Sequence, residues 1–274
     1  MGGGYVTCLL FTVVTLERSC RWQVLQVGKG SCMSFLDEFK QKLIFVFIEE
    51  QRYMYIVKGL RTTILVTLLA LALGLVIGIL VAVVRTAHDQ MGKKGLNGLS
   101  GLIIKILNAI CEVYLTVVRG TPVMVQLLLM YFVFLASSTN KVLVAVLTFG
   151  INSGAYVAEI FRSGIMSIDK GQMEAGRSLG LGYAKTMQKI ILPQAIKNVL
   201  PALVNEMITL LKETSICGYI GLNELTRGGD IIRGVTFEAL LPLLVVAAIY
   251  LAIVMFFTWV MGKLERRLRE SDNR

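Results

Sequence analysis

The segment that decides the fold is residues 64–84, ILVTLLALALGLVIGILVAVV, which contains twenty-one consecutive uncharged residues. A helix of this length reaches about 30 Å, which is the thickness of the hydrocarbon core of a bilayer. We therefore interpret it as the first membrane span. Gly74 and Gly78 have the small-x3-small spacing that lets a second helix approach closely, although glycine is also simply common in spanning helices.

The composition of the chain agrees with an integral membrane protein. The 274 residues are 55% hydrophobic with a mean hydropathy of +0.69, and only 17% are charged, whereas soluble domains have about 25%. Repeated long apolar runs favour a helical bundle over a barrel, whose strands alternate. The net charge of +10 comes from basic residues between apolar runs. This distribution indicates cytoplasmic loops and argues against nucleic-acid binding.

Sequence motifs for catalysis are missing from the chain. It has no G-x4-G-K-[ST], no H-E-x-x-H, no G-x-S-x-G and only one histidine, and its five cysteines form no C-x-x-C pair. We therefore predict a protein that is not an enzyme and that binds no metal or cofactor itself.

Five membrane spans are predicted, in an all-α fold with the N-terminus outside and the C-terminus in the cytoplasm. The loop of residues 85–105 and the loop of residues 168–193 are basic, and the tail of residues 265–274 is net basic, so all three are assigned to the cytoplasm. The spans cover approximately residues 60–85, 102–139, 141–162, 195–214 and 239–262 of a transmembrane domain at residues 60–264.

The apolar region of residues 102–139 allows two interpretations, because Glu112 and the segment R-G-T-P at residues 119–122 interrupt it. Two full spans would place the lysine-rich stretch after Phe161 outside. An oblique helix followed by one span over residues 121–140 keeps that stretch inside, and we adopt this interpretation. Gly120 would end the first helix and Pro122 would begin the second.

The N-terminal region differs from the remainder. The apolar part of residues 1–32 is only twelve residues long, too short to span a membrane, and no basic region precedes it. We interpret residues 1–32 as an upstream extension from a mis-assigned start, with the working protein beginning at Met33. Residues 33–59 are predicted to contain an interfacial helix.

A polar, glycine-rich segment at residues 172–193, QMEAGRSLGLGYAKTMQKIILP, lies between the apolar runs and must face water. Glu174, Ala175, Gly176 and Gly180 are followed after nine residues by I-x-L-P. This order resembles the cytoplasmic coupling loop of ATP-binding-cassette (ABC) importer permeases, E-A-A-x3-G-x9-I-x-L-P, with Gly176 in place of the second alanine.

Four further segments extend the resemblance over approximately residues 61–267. They are R-G-T-P at 119–122, G-A-Y-x-A-E-I-F-R at 154–162, G-Q-x-E-A at 171–175, and K-E-T-S at 212–215, where the family usually has K-D-T-S. Together they are similar to the permease subunits of polar amino-acid ABC uptake systems of the glutamine, histidine and arginine type, which have the type I importer fold.

The resemblance implies a multi-pass protein of the bacterial plasma membrane that pairs with a second copy or a related permease around a central path. Two ATPase subunits, which carry ATP and Mg, would dock from the cytoplasm, and an extracytoplasmic solute-binding protein would deliver the amino acid. A permease for another small solute, or a membrane sensor or scaffold that uses the same fold, remains an alternative.

The segment of residues 168–193 is expected to couple the permease to its ATPase. Residues 170–181 can form a short helix in the membrane plane that Gly180 or Gly182 caps, and Leu192-Pro193 would end the loop helix. A surface helix without a partner is the alternative. The residues assigned to coupling are Gly171, Gln172, Glu174, Ala175, Gly176, Gly180, Gly182, Leu192 and Pro193.

Polar residues within the apolar runs suggest a substrate path. An acidic residue at the centre of a spanning helix costs ~2.5–3.5 kcal/mol, so Glu206 should face a cavity or the bundle interior. Glu159 could face a cavity or pair with Arg162 one turn on. Together the path residues offer acceptors for an ammonium and donors for a carboxylate. They are Thr121, Gln126, Asn152, Tyr156, Glu159, Asn205, Glu206, Lys212 and Glu213.

Overall fold

The computed structural model describes the backbone of residues 32–95 and 99–272, and the side chains of residues 37–89 and 101–266. The predicted extension at residues 1–32 lies outside the described residues, except for Cys32. The described part divides into two units at Gln51. In the first unit, helix α1 (Cys32–Leu43) is followed by a π-helical turn (Ile44–Ile48) and a 3-10 turn (Glu49–Gln51). The interfacial position of this helix stays a prediction.

The described residues of the second unit are helical apart from short connections. The helices are α2 (Tyr53–Gly95), α3 (Leu99–Gly120), α4 (Val123–Leu129, continued by a π-helical turn, Met130–Phe134), α5 (Lys141–Met166), α6 (Lys170–Ser178), α7 (Tyr183–Thr186, continued by a π-helical turn, Met187–Ile191), α8 (Leu192–Glu213), α9 (Leu225–Thr236) and α10 (Leu240–Asp272).

Four helical segments of the described chain are long and apolar enough to cross a membrane: Tyr53–Asp89, Gly101–Gly120, Lys141–Met166 and Leu240–Arg266. Two of them contain the spans predicted at residues 60–85 and 141–162, and the last one covers the span predicted at residues 239–262 except for its first residue. The span predicted at residues 195–214 falls on α8, which has 22 residues but carries Asn205, Glu206 and Lys212. Its crossing therefore stays a prediction.

The region of residues 102–139 is divided differently from the prediction. The break at Pro122 is present, with an extended backbone (φ −62°, ψ 133°). The apolar helix after it covers only Val123–Phe134, about 18 Å, and is too short to cross alone. The prediction of a spanning helix over residues 121–140 is therefore wrong, because a π-helical turn at Met130–Phe134 ends this helix early. The long helix is α3, before the break.

Helix α2 is longer than predicted at both ends. It begins at Tyr53 and continues as 43 residues to Gly95, about 64 Å. The basic loop expected from Arg85 is thus largely helical. Gly92 lies inside the helix, where glycine is tolerated at a cost of about 1 kcal/mol.

Helices α2 and α5 cross closely at their glycines. A Cβ atom on Gly74 would lie 3.0 Å from Ser153, and one on Gly78 would lie 2.5 Å from Val157. The interpretation of Gly74 and Gly78 as a helix-contact pair is therefore confirmed. This crossing fixes α5, whose buried residues include Phe149 at 0% exposure, and it places the polar residues of α5 at the centre of the second unit.

Candidate functional site

Helix α6 has a defined cap at each end. At its start, the Asp169 carboxylate accepts a hydrogen bond of 2.6 Å from the backbone N–H of Gly171. At its end, the N–H groups of Gly180 and Leu181 bond the carbonyls of Arg177 and Gly176, at 3.0 and 3.1 Å. Gly180 has φ +80°, the left-handed conformation that favours glycine. The predicted short helix is thus confirmed, and Gly180 is its cap.

Gly182 and Gly176 have different structural roles. Gly182 has φ −67° and begins α7, so it does not cap α6. Gly176 is buried, and a Cβ atom on it would lie 2.5 Å from Cγ2 of Thr186. Because the family pattern has alanine at this position, the glycine allows α6 to pack more closely on α7 than an alanine would.

The coupling segment continues into α8 without a break. Ile191 and Leu192 have helical backbone angles, and the N–H of Leu192 bonds the carbonyl of Met187 five residues earlier. The prediction that Leu192-Pro193 ends the loop helix is therefore wrong. The π-helical turn at Met187–Ile191 precedes Pro193, which occupies the first turn of α8, where its missing N–H costs little.

The predicted coupling residues fall in two places. Seven of them lie in the α6 helix, its cap and the connection to α7, and two lie at the start of α8. The seven are Gly171, Gln172, Glu174, Ala175, Gly176, Gly180 and Gly182, and the two are Leu192 and Pro193. Next to the cap, Leu179 is 80% exposed.

Three of the predicted path residues form a hydrogen-bonded bridge between helices. The amide of Gln126 donates to the hydroxyl of Thr121 at 2.7 Å and to the carbonyl of Val118 at 2.8 Å. The buried amide of Asn152, on α5, donates to Oε1 of Gln126 at 2.9 Å. This bridge ties the break between α3 and α4 to α5.

A second group lines a charged cavity of about 670 Å³ between α2, α3 and α5. It contains Tyr156 and Glu159 of the predicted set. The other polar residues of its lining are Arg85, Glu112, Thr116, Arg119 and Arg162. With three arginines and two glutamates, the cavity has a net charge of one positive. Residues of both signs can receive the carboxylate and the ammonium of one zwitterion.

Glu159 is the centre of this charged cavity. Its carboxylate accepts two hydrogen bonds from Arg162, at 2.7 and 3.2 Å, and lies 3.7 Å from Arg119. The guanidinium of Arg119 also lies 5.6 Å from the ring centre of Tyr156, within cation–π range. Both sequence interpretations of Glu159 hold, because it pairs with Arg162 and also lines the cavity.

The remaining path residues lie on α8. Oε1 of Glu206 accepts a hydrogen bond of 2.8 Å from the hydroxyl of Ser153, which is fully buried on α5. Asn205 and Lys212 are exposed, and so is Thr209 between them, so the three form a polar stripe. Glu213 is half-buried at the end of the helix. The nine predicted residues therefore form three groups and not one pocket.

The sequence did not assign several of the residues that complete these groups. Arg85 resembles an ordinary charge at the end of a span, Arg162 was predicted only as a possible partner of Glu159, and Arg119 was assigned only as part of R-G-T-P. Ser153 is a small residue without a special spacing. The one feature of the sequence that could have indicated a charged cluster was the presence of Glu112 and Arg119 inside an apolar run, because charges there need partners.

Comparisons with known proteins agree with this architecture. Residues 99–270 match the family of binding-protein-dependent transport system inner membrane components. Among curated relatives, the arginine transport system permease protein ArtQ of Bacillus subtilis is 38% identical over 192 residues, which cover 65% of this chain and 88% of ArtQ. The glutamine transport system permease protein GlnP of Escherichia coli K12 is 41% identical over 169 residues, covering 60% of this chain and 77% of GlnP.

Solved structures share the fold. A crystal structure of an amino acid ABC transporter with histidines has a TM-score of 0.70 and 39% identity, covering 81% of this chain and 98% of that one. An inward-facing structure of the MetNI methionine ABC transporter has a TM-score of 0.65 and covers 79% of this chain and 97% of that one. At 19% identity, it supports the fold alone. The chain therefore belongs to the family of binding-protein-dependent transport system inner membrane components, as a non-catalytic membrane permease subunit of an ABC importer.

Proposed function

We propose that this permease imports polar amino acids across the bacterial plasma membrane, driven by separate ATPase subunits that bind at residues 168–193. One observation carries the proposal: a continuous helical path runs from α7 into α8, which bears Glu206 and the exposed polar stripe, and α6 packs against the start of this path at Gly176 and Thr186. A displacement of α6 by an ATPase would therefore be passed through this contact to α8.

The charged cavity supports an amino acid as the solute. Glu159 can accept from an ammonium group, while Arg119 and Arg162 retain donors for a carboxylate. Relatives named for arginine and glutamine transport agree with this class of solute. The polar bridge of Thr121, Gln126 and Asn152 would form another part of the path.

The stripe on α8 supports a second permease copy or a related permease as the partner. Asn205 and Thr209 would be costly if they faced lipid, because polar groups in an apolar environment lose their hydrogen bonds to water. Lys212 continues the same face in the last turn of α8. A second permease would cover this stripe and enclose a watery path. The N-terminus would lie outside and the C-terminus inside. An extracytoplasmic solute-binding protein would deliver the amino acid, and ATP and Mg would bind to the ATPase subunits.

Uptake by the complete transporter tests this proposal. Proteoliposomes containing the permease, its ATPase and its binding protein should accumulate labelled arginine, histidine or glutamine when ATP is supplied on the ATPase side. Uptake of another solute class, such as labelled methionine alone, would contradict the proposed substrate. Hydrolysis of ATP without movement of any labelled solute would instead favour the sensor or scaffold alternative.

A further inference from the structure

A second large cavity, of about 660 Å³, lies beside the coupling helix. This cavity and the charged cavity described above share no lining residue. The end of α5, the helix α6, the α7 region with its π-helical turn, and Ala87 of α2 enclose it. The elements that would transmit motion therefore meet around this space.

Most of the lining of this cavity is apolar and adaptable. Its size falls in the range of about 300–1,000 Å³ that is typical of small-molecule sites. Methionine side chains fit irregular apolar ligands because they are flexible and polarizable. The apolar lining residues are Ile165, Met166, Ile168, Met173, Met187 and Ile191.

Two basic side chains line the same cavity. Lys170 and Arg177 lie on α6 together with Met173, with the i, i+3, i+7 spacing of one helix face. Among the described residues, neither Lys170 nor Arg177 forms an ion pair or a side-chain hydrogen bond. Asp169 also lines the cavity, and its carboxylate caps α6 by accepting from the N–H of Gly171. With two cations and one carboxylate, the lining has a net charge of one positive, which favours an anion.

Tyr183 adds a hydroxyl group to the lining of the cavity. Its side chain is 44% exposed, and burial of the remainder raises the pKa of its phenol. The phenol therefore stays protonated at neutral pH and can donate a hydrogen bond to an anionic group.

We propose that this cavity binds an anionic phospholipid, with the phosphate between Lys170 and Arg177 and an acyl chain against the isoleucines and methionines. A free phosphate would leave the apolar lining empty, whereas an uncharged lipid would leave the two cations without a counterion. Anionic lipids are a feature of the cytoplasmic leaflet, and basic pockets near the ends of spanning helices bind their head groups. The proposal rests on the proposed function only for the cytoplasmic location of α6.

The lipid and the ATPase would use different faces of α6. Gly171, Ala175 and Ser178 lie on the side of this helix that is opposite to Met173. A bound lipid would therefore hold the cavity side of α6 against α5 and the α7 region while the ATPase occupies the other side. Binding of the lipid would make the response of the permease to its ATPase depend on the lipid composition of the membrane.

Native mass spectrometry of the purified permease–ATPase complex tests the site directly. Phosphatidylglycerol and, separately, phosphatidylethanolamine would be titrated into the wild type and into the double variant Lys170→Gln/Arg177→Gln. The matched control is Lys185→Gln/Lys189→Gln, which removes two exposed cations of the same segment that do not line the cavity.

The double variant should bind phosphatidylglycerol roughly 30-fold more weakly than the wild type, because two cations near a membrane surface are removed. The control should bind phosphatidylglycerol like the wild type, and phosphatidylethanolamine should bind weakly to all three. Met173→Trp, which fills the apolar part and keeps both charges, should also weaken phosphatidylglycerol binding.

Equal retention of phosphatidylglycerol by the wild type and the double variant would overturn the proposal. Equal binding of the two lipids by the wild type would also overturn it. Because lipid retention is measured without solute or ATP, failure here is distinguishable from a failure of amino-acid uptake. Loss of the ATPase from the double-variant complex with unchanged lipid retention would assign the two cations to the ATPase contact and would contradict the lipid site.

Discussion

The coupling segment, residues 168–193, and the charged cavity are held together by different kinds of contact. The caps of α6 join residues close in sequence, such as Asp169 with Gly171 and Gly176 with Leu181. In the cavity, Arg85 of α2 approaches Glu112 of α3 at 3.8 Å, and Arg119 of α3 approaches Glu159 of α5. The first region therefore depends on backbone conformation, and the second on the packing of distant helices.

This difference predicts how each region responds to mutation. A change in the coupling segment should act through backbone angles and close packing, with little dependence on charge. A change in the charged cavity should act through unpaired charge, with little dependence on backbone conformation.

Neutralising Glu159 should have the largest effect. The variant Glu159→Gln keeps the size of the side chain but leaves Arg162 and Arg119 without their carboxylate, which should cost about 1–3 kcal/mol. We expect amino-acid uptake in proteoliposomes to fall by about tenfold or more, while the ATPase still co-purifies.

Glu112→Gln is the matched control for Glu159 in the same cavity. Its side chain is 57% exposed and its distance to Arg85 is 3.8 Å, so its loss should matter much less. Equal losses of uptake in the two variants would show that the contacts of Glu159 with Arg162 and Arg119 are no more important for transport than the contact of Glu112 with Arg85.

Replacing the cap of α6 should have the next largest effect. Gly180→Ala adds a Cβ atom at φ +80° where no neighbour lies within 4 Å, so its cost of about 1–2 kcal/mol comes from the backbone alone. Thermal stability of the purified permease–ATPase complex and ATP-driven uptake should both decrease.

Gly182→Ala provides the control for the Gly180 variant. Gly182 also has open space around it, but its φ of −67° suits any residue. This variant should behave like the wild type, and a loss equal to that of Gly180→Ala would contradict the assignment of the cap to Gly180.

The contact between Ser153 and Glu206 should give a moderate effect. Hydrogen bonds between spanning helices contribute about 0.6 kcal/mol on average and up to about 1.7. A double-mutant cycle of Ser153→Ala and Glu206→Gln, read from thermal unfolding of the complex, should give a coupling energy in this range.

Ser163→Ala serves as the control for that cycle, because Ser163 bonds only the carbonyl of Ile160 in its own helix. Combined with Glu206→Gln, it should show no coupling energy. Additivity of the Ser153 and Glu206 variants would mean that the bond does not tie α5 to α8.

Gly176→Ala should have the smallest effect, because two contributions oppose each other. Alanine improves helix propensity by about 1 kcal/mol, whereas its Cβ atom would crowd Cγ2 of Thr186 at a typical cost of about 1–3 kcal/mol. Adding Thr186→Ser removes that methyl group. Unfolding measurements should therefore find the double variant more stable than Gly176→Ala alone, and the reverse order would contradict close packing at Gly176.

The sequence was sufficient for the parts of the fold that follow local rules. The apolar run at residues 64–84, the break at Pro122 and a glycine cap at the end of α6 all appear in the structure, although the sequence left the choice between Gly180 and Gly182 open. In each case, length, proline or glycine chemistry determines the conformation without reference to distant residues.

The sequence was insufficient where the outcome depends on distant packing or on subtle helix geometry. The π-helical turns after Leu129 and Thr186 have no strong local signal, so the early end of α4 and the continuity through Pro193 were missed. Arg119, the second partner of Glu159, and Ser153, the partner of Glu206, come from other helices, and only the structure brings them together.

The continuity of the helical path from α7 into α8 is the central claim, and an insertion tests it most directly. Two glycines placed between Gln188 and Lys189 would interrupt the π-helical turn and leave the α6 cap intact. We would measure amino acid transported per ATP hydrolysed in proteoliposomes. We expect that the ATPase still binds and hydrolyses ATP while this ratio falls close to zero. A ratio equal to that of the wild type would contradict transmission through this helix.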